Sequence, residues 1–256
     1  MNKPYGYIED VVQPQDYTLG ALPQTVIQPT GQWLLYLPES EVQEKNGLET
    51  YNCTKYGTLN AIEGLMKKKY GIMYNFSERY AGITGGTTKQ GASPKDTIEK
   101  IRNYTGVIPE SDLPFTADIK AWEQYYSGVT FGLKLKGVSW LRDWQVTYEW
   151  VLNEKHDDWQ ARLKEGLKYS PLGIAVHAWH EEGGMFIRTG ADTHWCTLVG
   201  YVEGKYWIVF DSYDKNIKKL DWNFGFTRAI RYHIDKREVY DAKFVTRALR
   251  GVLGLY

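Results

Sequence analysis

The chain has 256 residues, 43% hydrophobic and 24% charged, with 31 basic and 31 acidic side chains and a formal net charge of zero. That composition belongs to a globular chain able to bury one large core or two lobes, and it excludes collagenous, disordered and polyelectrolyte classes. The balanced charge leaves no electrostatic footprint for nucleic acid or an anionic membrane, so neither is expected as a partner.

The sequence opens Met1-Asn2-Lys3-Pro4 with no apolar leader, and no run approaches transmembrane length. Cys53 and Cys196 are the only cysteines, which excludes a disulfide framework and fits a reducing compartment. A cytoplasmic location is the expectation. The 20 tyrosines and 10 tryptophans point to strand-rich packing and aromatic-lined grooves.

Residues 1–30, rich in Pro, Gln and Gly, read as an extended arm over the body of the domain. Gln32 to Leu37 is a short apolar run stopped by Pro38, a strand or an anchored loop. From Cys53 the pattern is helical to about Tyr70-Gly71, with Tyr56, Leu59, Ile62, Leu65 and Met66 three or four apart. Ser77 to Tyr80 reads as a helical turn and Gly82 to Gly91 as a loop. Ser93-Pro94-Lys95-Asp96 is a helix start, and Gly106 is its stop. Pro109 to Phe115 marks the expected lobe boundary.

Residues 116–158 fit helix or strand equally. Trp159 to Tyr169 reads as a helix. Strands are then expected at Leu172–Ala178, Met185–Arg188, His194–Val202 and Lys205–Asp211, with an outer strand at Phe226–Ile234. Val239 to Leu253 is an amphipathic closing helix with Tyr240, Phe244, Val245, Ala248, Leu249 and Val252 on one side. The domain reading is a single α+β unit over 1–256. It comprises an arm (1–38), a helical lobe (39–115) and a β-rich lobe with the last helix (116–256).

Two stretches carry chemistry. With Thr50 or Asn52 as N-cap, Cys53 falls in the first helical turn, where unpaired amides and the helix dipole favour a thiolate. Such a residue is expected to be accessible and nucleophilic. In the second stretch, Glu203-Gly204 as a two-residue turn makes Val202 face Lys205, Cys196 face Asp211 and His194 face Tyr213. His194 and Asp211 then project from one face as diagonal neighbours, roughly 7–8 Å apart at the backbone, so carboxylate and imidazole can meet. The carboxylate would hold the ring tautomer and stabilise an imidazolium.

In this order and spacing the chain resembles the papain-like cysteine peptidases. The resemblance runs over roughly residues 40–235. It rests on Cys53 at a helix start, on Thr193-His194-Trp195 leading to Val199-Gly200-Tyr201, and on Asp211-Ser212-Tyr213 in place of an Asn-Ser-Trp motif. Ser77-Glu78-Arg79 is similar to the family's Ser-Glu-Gln segment, and Gly91-Ala92-Ser93-Pro94 to its cleft-lining Gly-Gly-x-Pro.

The resemblance implies a two-lobed fold with the cleft between lobes and a polypeptide substrate. It implies Cys53 as nucleophile, His194 as base and Asp211 as third member, with Gly91, Ala92, Trp195 and Tyr213 at the substrate and neither metal nor cofactor. The sequence departs from the family at four places. Thr54 follows the cysteine where the family has tryptophan, Asp211 replaces asparagine, Tyr213 replaces the shielding tryptophan, and Gly47 stands where an oxyanion glutamine is expected. Gln43 is the nearest upstream glutamine and is assigned that role, with Asn46 and Asn52 as alternatives.

Other residues weigh less. His177 and His180, three apart in a strand, face opposite ways and do not suit one metal. Cys196 is expected as a buried small residue under the site. Besides peptide hydrolysis, the same thiol chemistry suits an acyltransferase or cell-wall amidase, and a missing oxyanion donor suits a non-catalytic binding protein.

Overall fold

The protein is described by a computed structural model over residues 5–237 and 242–253. A two-strand hairpin, β1 (Glu44–Lys45) and β2 (Leu48–Glu49), leads into the long helix α1 (Cys53–Tyr70), followed by α2 (Glu78–Thr84) and α3 (Pro94–Lys100). A π-helical turn, Ile101–Thr105, extends α3, and α4 (Trp122–Tyr125) and α5 (Phe131–Asp143) complete the helical half.

The sheet half contains β3 (Trp144–Leu152), α6 (Trp159–Leu167), β4 (Leu172–Val176), β5 (His180–Glu182), β6 (Met185–Ile187), β7 (His194–Val202), β8 (Tyr206–Phe210), β9 (Ile217–Asp221) and β10 (Ala229–Lys236). Helix α7 (Ala242–Leu253) packs against the π-helical turn and α5. The larger sheet has eight strands in the order β3-β10-β4-β7-β8-β9-β6-β5. Among the described residues, no helix is long and apolar enough to cross a membrane.

Helix α1 is the centre of the molecule. Its apolar stripe was expected to face a core, yet every residue from Cys53 to Met66 is buried. Glycine explains how β7 gets so close: a methyl group on Gly57 would sit 2.7 Å from Trp195 Cδ1 and 3.3 Å from the Cys196 backbone. The polar residues on the helix therefore need internal partners. Lys55 Nζ donates to Thr97 Oγ1 at 2.8 Å, the Phe76 amide donates to Glu63 Oε1 at 2.6 Å, and Thr58 and Tyr232 share a hydroxyl contact of 3.2 Å. At the far end Gly71, at φ 68°, caps the helix with its amide on Lys67 O.

Several boundaries differ from the sequence reading. The ambiguous 116–158 stretch resolves into α4, α5 and β3, the edge strand beside β10. Strand β10 is not an outer strand: it lies between β3 and β4, with Ala229 to Tyr232 buried. The reason is Arg231, which reads as an outward-facing residue but pairs internally with Glu149 at 2.5 Å. Strand β9 went unread because Ile217-Lys218-Lys219-Leu220 alternates with a lysine inside. The stripe residues of α7 at 240, 244, 245, 248 and 249 lie outside the described side chains.

The β7–β8 hairpin reaches the expected register by a different route. The turn takes three residues, with Lys205 N donating to Val202 O, so Val202 faces Tyr206 and Tyr201 faces Trp207. A bulge between Leu198 and Gly200 then removes the offset, and Leu198 faces Val209 and Thr197 faces Phe210, as expected for the site end. The bulged Val199 carbonyl is taken by the Trp33 amide at 2.7 Å, which anchors the chain that precedes the hairpin β1–β2.

Candidate active site

Three elements deliver the site. Asn46 and Gly47, at φ 56° and 78°, close the β1–β2 hairpin as a primed turn, and Tyr51 at φ 52° bends the chain into α1. Asn52 holds the N-cap position, but its side chain does not cap the helix. Its amide donates to Glu78 O at 2.7 Å and its oxygen accepts from Thr87 at 3.0 Å, tying α1 to α2. Asn46 donates to Ala117 O. Both asparagine amides are thus engaged away from the cysteine.

The alternation of β7 and the restored hairpin register bring His194 and Asp211 together. His194 Nε2 and Asp211 Oδ1 lie 2.5 Å apart, and both side chains are fully buried. The other ring nitrogen, Nδ1, is buried with no hydrogen-bond partner. Cys53 starts the helix that packs on this strand, and the backbone amide of Trp195, next to His194, lies against the thiol and favours its ionised form.

The aspartate has a second partner. Lys218 on β9 donates to Asp211 Oδ2 at 2.6 Å, and its side chain is only 4% exposed. Burial pushes the Asp211 carboxyl up, but the His194 and Lys218 contacts outweigh it and hold the group below its ordinary value. An aromatic box surrounds the imidazole: Tyr5, Trp179 and Tyr213 ring centroids stand 5.5, 5.6 and 5.3 Å from it.

Gln43 is fully buried beside this box. Its amide nitrogen reaches Glu49 Oε1 at 2.8 Å, Tyr213 OH at 2.7 Å and Tyr5 O at 3.1 Å, while its oxygen accepts from Ser212. Tyr213 in turn donates to Glu49 Oε2 at 2.5 Å. Glu49, Lys218, Trp179 and Tyr5 escaped the sequence reading. Glu49 lies four residues before Cys53, a spacing that marks nothing on its own, and Tyr5 comes from the far N-terminus.

The expected accessibility of Cys53 is not observed. The thiol is fully buried, and burial, the largest influence on it, pushes it up rather than toward a thiolate. The chain's own N-terminal arm runs against the residues expected to line the substrate. Ala92 N donates to Gly6 O at 3.0 Å and Ile8 N to Ala92 O at 3.1 Å, a parallel bridge centred on Tyr7 and Ala92.

Gly6, at φ 95°, passes so close that an added methyl would meet Tyr51 O at 2.2 Å, and one on Gly91 would meet Gly6 O at 1.8 Å. Tyr7 stacks on Trp195, 5.9 Å between centroids and 10° between planes. Gly91, Ala92 and Trp195, expected at a substrate, thus face residues 6–8, and Trp195 itself is interior. A cavity of about 330 Å³, lined by Tyr5, Glu44, Trp179, Tyr213 and Lys218 among others, opens beside the box.

On the other side of α1, carboxyl oxygens of Glu41, Glu78 and Glu110 lie within 4.8 Å of one another, the one grouping among the described residues with cation-ligand spacing. Burial pushes Glu63 and Glu78 well above the carboxylate range and Glu110 up to about 7. Burial thus disfavours the charged form of Glu63, Glu78 and Glu110, the opposite of what a preformed anionic cage requires. Cys196 is buried under the site, as expected, and its thiol is also pushed up by burial.

No protein-family model and no curated protein sequence matches the chain. Solved structures do. Digestive procathepsin L 3 of Tenebrio molitor larval midgut superposes with a TM-score of 0.57 at 20% identity, covering 90% of this chain and 76% of that one. The fold is papain-like.

Two further structures with this fold agree. The cysteine protease and lectin-like domains of Cwp84, a surface-layer-associated protein of Clostridium difficile, give a TM-score of 0.63 at 15% identity, over 93% of this chain and 57% of that one. The ragweed pollen allergen Amb a 11, a cysteine protease in its proform, gives 0.56 at 14% identity, over 84% and 67%. Helix α1, which Cys53 starts, packs on β7, which His194 starts, and the buried end of the β7–β8 hairpin carries the His194–Asp211 pair.

Proposed function

We propose that the protein is a cysteine peptidase that hydrolyses polypeptides through Cys53, His194 and Asp211. The observation that carries this reading is the state of His194. One ring nitrogen is fixed on Asp211 at 2.5 Å, and the other is buried and unbonded on a strand packed against the helix that starts at Cys53. A buried imidazole nitrogen left without a partner is costly, and such groups cluster where chemistry needs them.

In the proposed mechanism His194 takes the Cys53 proton through Nδ1, and the thiolate attacks the scissile carbonyl. The tetrahedral oxyanion is stabilised by the Cys53 backbone amide and by Gln43, once Gln43 exchanges the Tyr5 carbonyl for the substrate oxygen. His194 then protonates the leaving amine. Water, activated by the same imidazole, hydrolyses the thioester. The form described here is a covered, resting form, because the arm fills the cleft and the thiol is pushed up.

The test is active-site labelling with a peptidyl electrophile, before and after limited proteolysis of the arm, combined with a fluorogenic peptide library. Labelling of Cys53 with loss of turnover in Cys53→Ala is expected. A Cys53 that stays unlabelled after the arm is removed would sink the proposal. Turnover that requires an added amine would redirect it to acyl transfer.

A further inference from the structure

We propose that Lys218 is a positioning residue of this site, which locks Asp211 on His194 and offsets its charge. To the imidazole, the Asp211–Lys218 pair then presents a neutral, fixed acceptor. This inference rests on the peptidase reading above.

The strand itself shows that Lys218 is placed for charge and not for filling. On β9, Ile217 points outward at 45% exposure while Lys218 points inward. A strand that only needed apolar fill would have the two exchanged. All three ammonium donors are used: Asp211 Oδ2 at 2.6 Å, Asp214 O at 2.8 Å and Lys215 O at 3.0 Å. The two carbonyls come from the turn between β8 and β9, so Lys218 ties that turn and the aspartate into one unit. Trp179 roofs both halves, with its ring 5.1 Å from Lys218 Nζ and 5.6 Å from the His194 ring.

In the family this chain resembles, an uncharged asparagine stands where Asp211 stands. A lone buried carboxylate there would over-stabilise the imidazolium and hold the catalytic proton too tightly. One carboxylate oxygen contacts His194 and the other accepts from the Lys218 ammonium, so the charge of Asp211 is shared with a lysine and does not fall on the imidazole alone. Other titratable groups facing this assembly are Cys53 and Lys55 from α1, Glu49 from β2, Cys196 from β7, Asp192 from the loop before it, and Tyr213. Among the described residues, Lys218 is the one lysine or arginine paired with Asp211, and His194 shares the other carboxylate oxygen.

The experiment compares Lys218→Met, Lys218→Arg, Asp211→Asn and the double variant Lys218→Met/Asp211→Asn. Two readouts are followed against pH in the full-length protein: kcat/KM on a peptide, and the rate of Cys53 alkylation, which needs no turnover. In Lys218→Met the full charge of Asp211 falls on His194, and the upper limb of both profiles should move up by about one unit. In Asp211→Asn it should move down, because Lys218 is left facing the site unpaired. Lys218→Arg should stay near wild type. The double variant should return the limb close to wild type and exceed both singles in kcat.

If Lys218→Met does not fold, its uncompensated aspartate being the cause, the neutral double variant still carries the comparison. A limb that ignores Lys218, or a double variant no better than its worse single, overturns the proposal while leaving the peptidase reading intact. A wild-type alkylation profile identical to that of His194→Ala overturns both.

Discussion

Helix α1 separates two groups of buried acids that behave in opposite ways. On the site face, Asp211 is fully buried yet held below its ordinary value, because His194 and Lys218 both sit at hydrogen-bond distance. On the opposite face, Glu63 and Glu78 are equally buried and pushed well above the carboxylate range, and Glu110 reaches about 7. Burial is the largest influence in both places and acts in the same direction. The difference is the supply of cations: the cluster faces further glutamates, while Asp211 faces a lysine and an imidazole. A carboxyl group's burial alone therefore says nothing about its charge; its partners decide.

The largest effect should come from removing the charged acid. Asp211→Ala leaves Lys218 and His194 buried beside each other with no counter-ion, a change that typically costs about 3–5 kcal/mol. Glu78→Gln replaces a group whose charged form burial disfavours with a neutral amide of the same shape, and should cost under ~1 kcal/mol. Chemical denaturation of both variants at pH 7 checks the contrast. Equal losses would mean that Glu78 is charged and that its burial is balanced by something other than a proton.

The second effect is a pH dependence with opposite signs on the two faces. Glu110 is raised from 4.5 to about 7 in the folded chain, so its stabilisation is complete below the unfolded value and is lost as pH rises through about 7. A shift of that size corresponds to roughly 3 kcal/mol across the window. Asp211, held down, contributes stability above its unfolded value near 3.8 and loses it as pH falls below. Stability curves at pH 3, 5 and 8 should therefore fall at both ends. Glu110→Gln should flatten the alkaline side alone. Flattening of the acid side by that variant would contradict the assignment.

How much of this could be read beforehand depended on whether a contact was local or long-range. The helix start at Cys53 and the His194–Asp211 contact were legible because a helix start and a hairpin translate spacing directly into position. Even there, the three-residue turn and the bulge near Val199 were invisible, and the site register survived only because one offset cancels the other. Lys218 was not legible, since its meeting with Asp211 depends on a turn whose carbonyls happen to converge on the ammonium group. Asn52 illustrates a different failure. Its residue type and position read as a helix cap, but α2 lies close enough, through Gly82, to take the side chain away. The glutamate cluster draws on the segment before β1, on α1, on α2 and on the 3-10 turn at Glu110, and no periodicity links these.

The cysteine belongs with the glutamates in this comparison, since its thiol is pushed up by burial without a cation on it, and the arm is the element whose loosening tests what buries it. The arm is fastened at buried and half-buried points by Gly6 and Tyr7, and nearer the surface by Lys95 on Asp16 at 2.6 Å, where the lysine side chain is 22% exposed. Such a pair is worth up to about 1 kcal/mol, which corresponds to no more than roughly a fivefold change in the population of the uncovered form. Lys95→Ala should therefore speed Cys53 alkylation two- to fivefold at pH 7 and leave the pH dependence of stability on the glutamate side untouched. Gly6→Ala is the stronger companion: its methyl would meet Tyr51 O at 2.2 Å, so the arm cannot seat as it does. If Gly6→Ala leaves the alkylation rate at the wild-type value, the arm is not what buries the thiol, and the protection of Cys53 must come from the walls of the cleft.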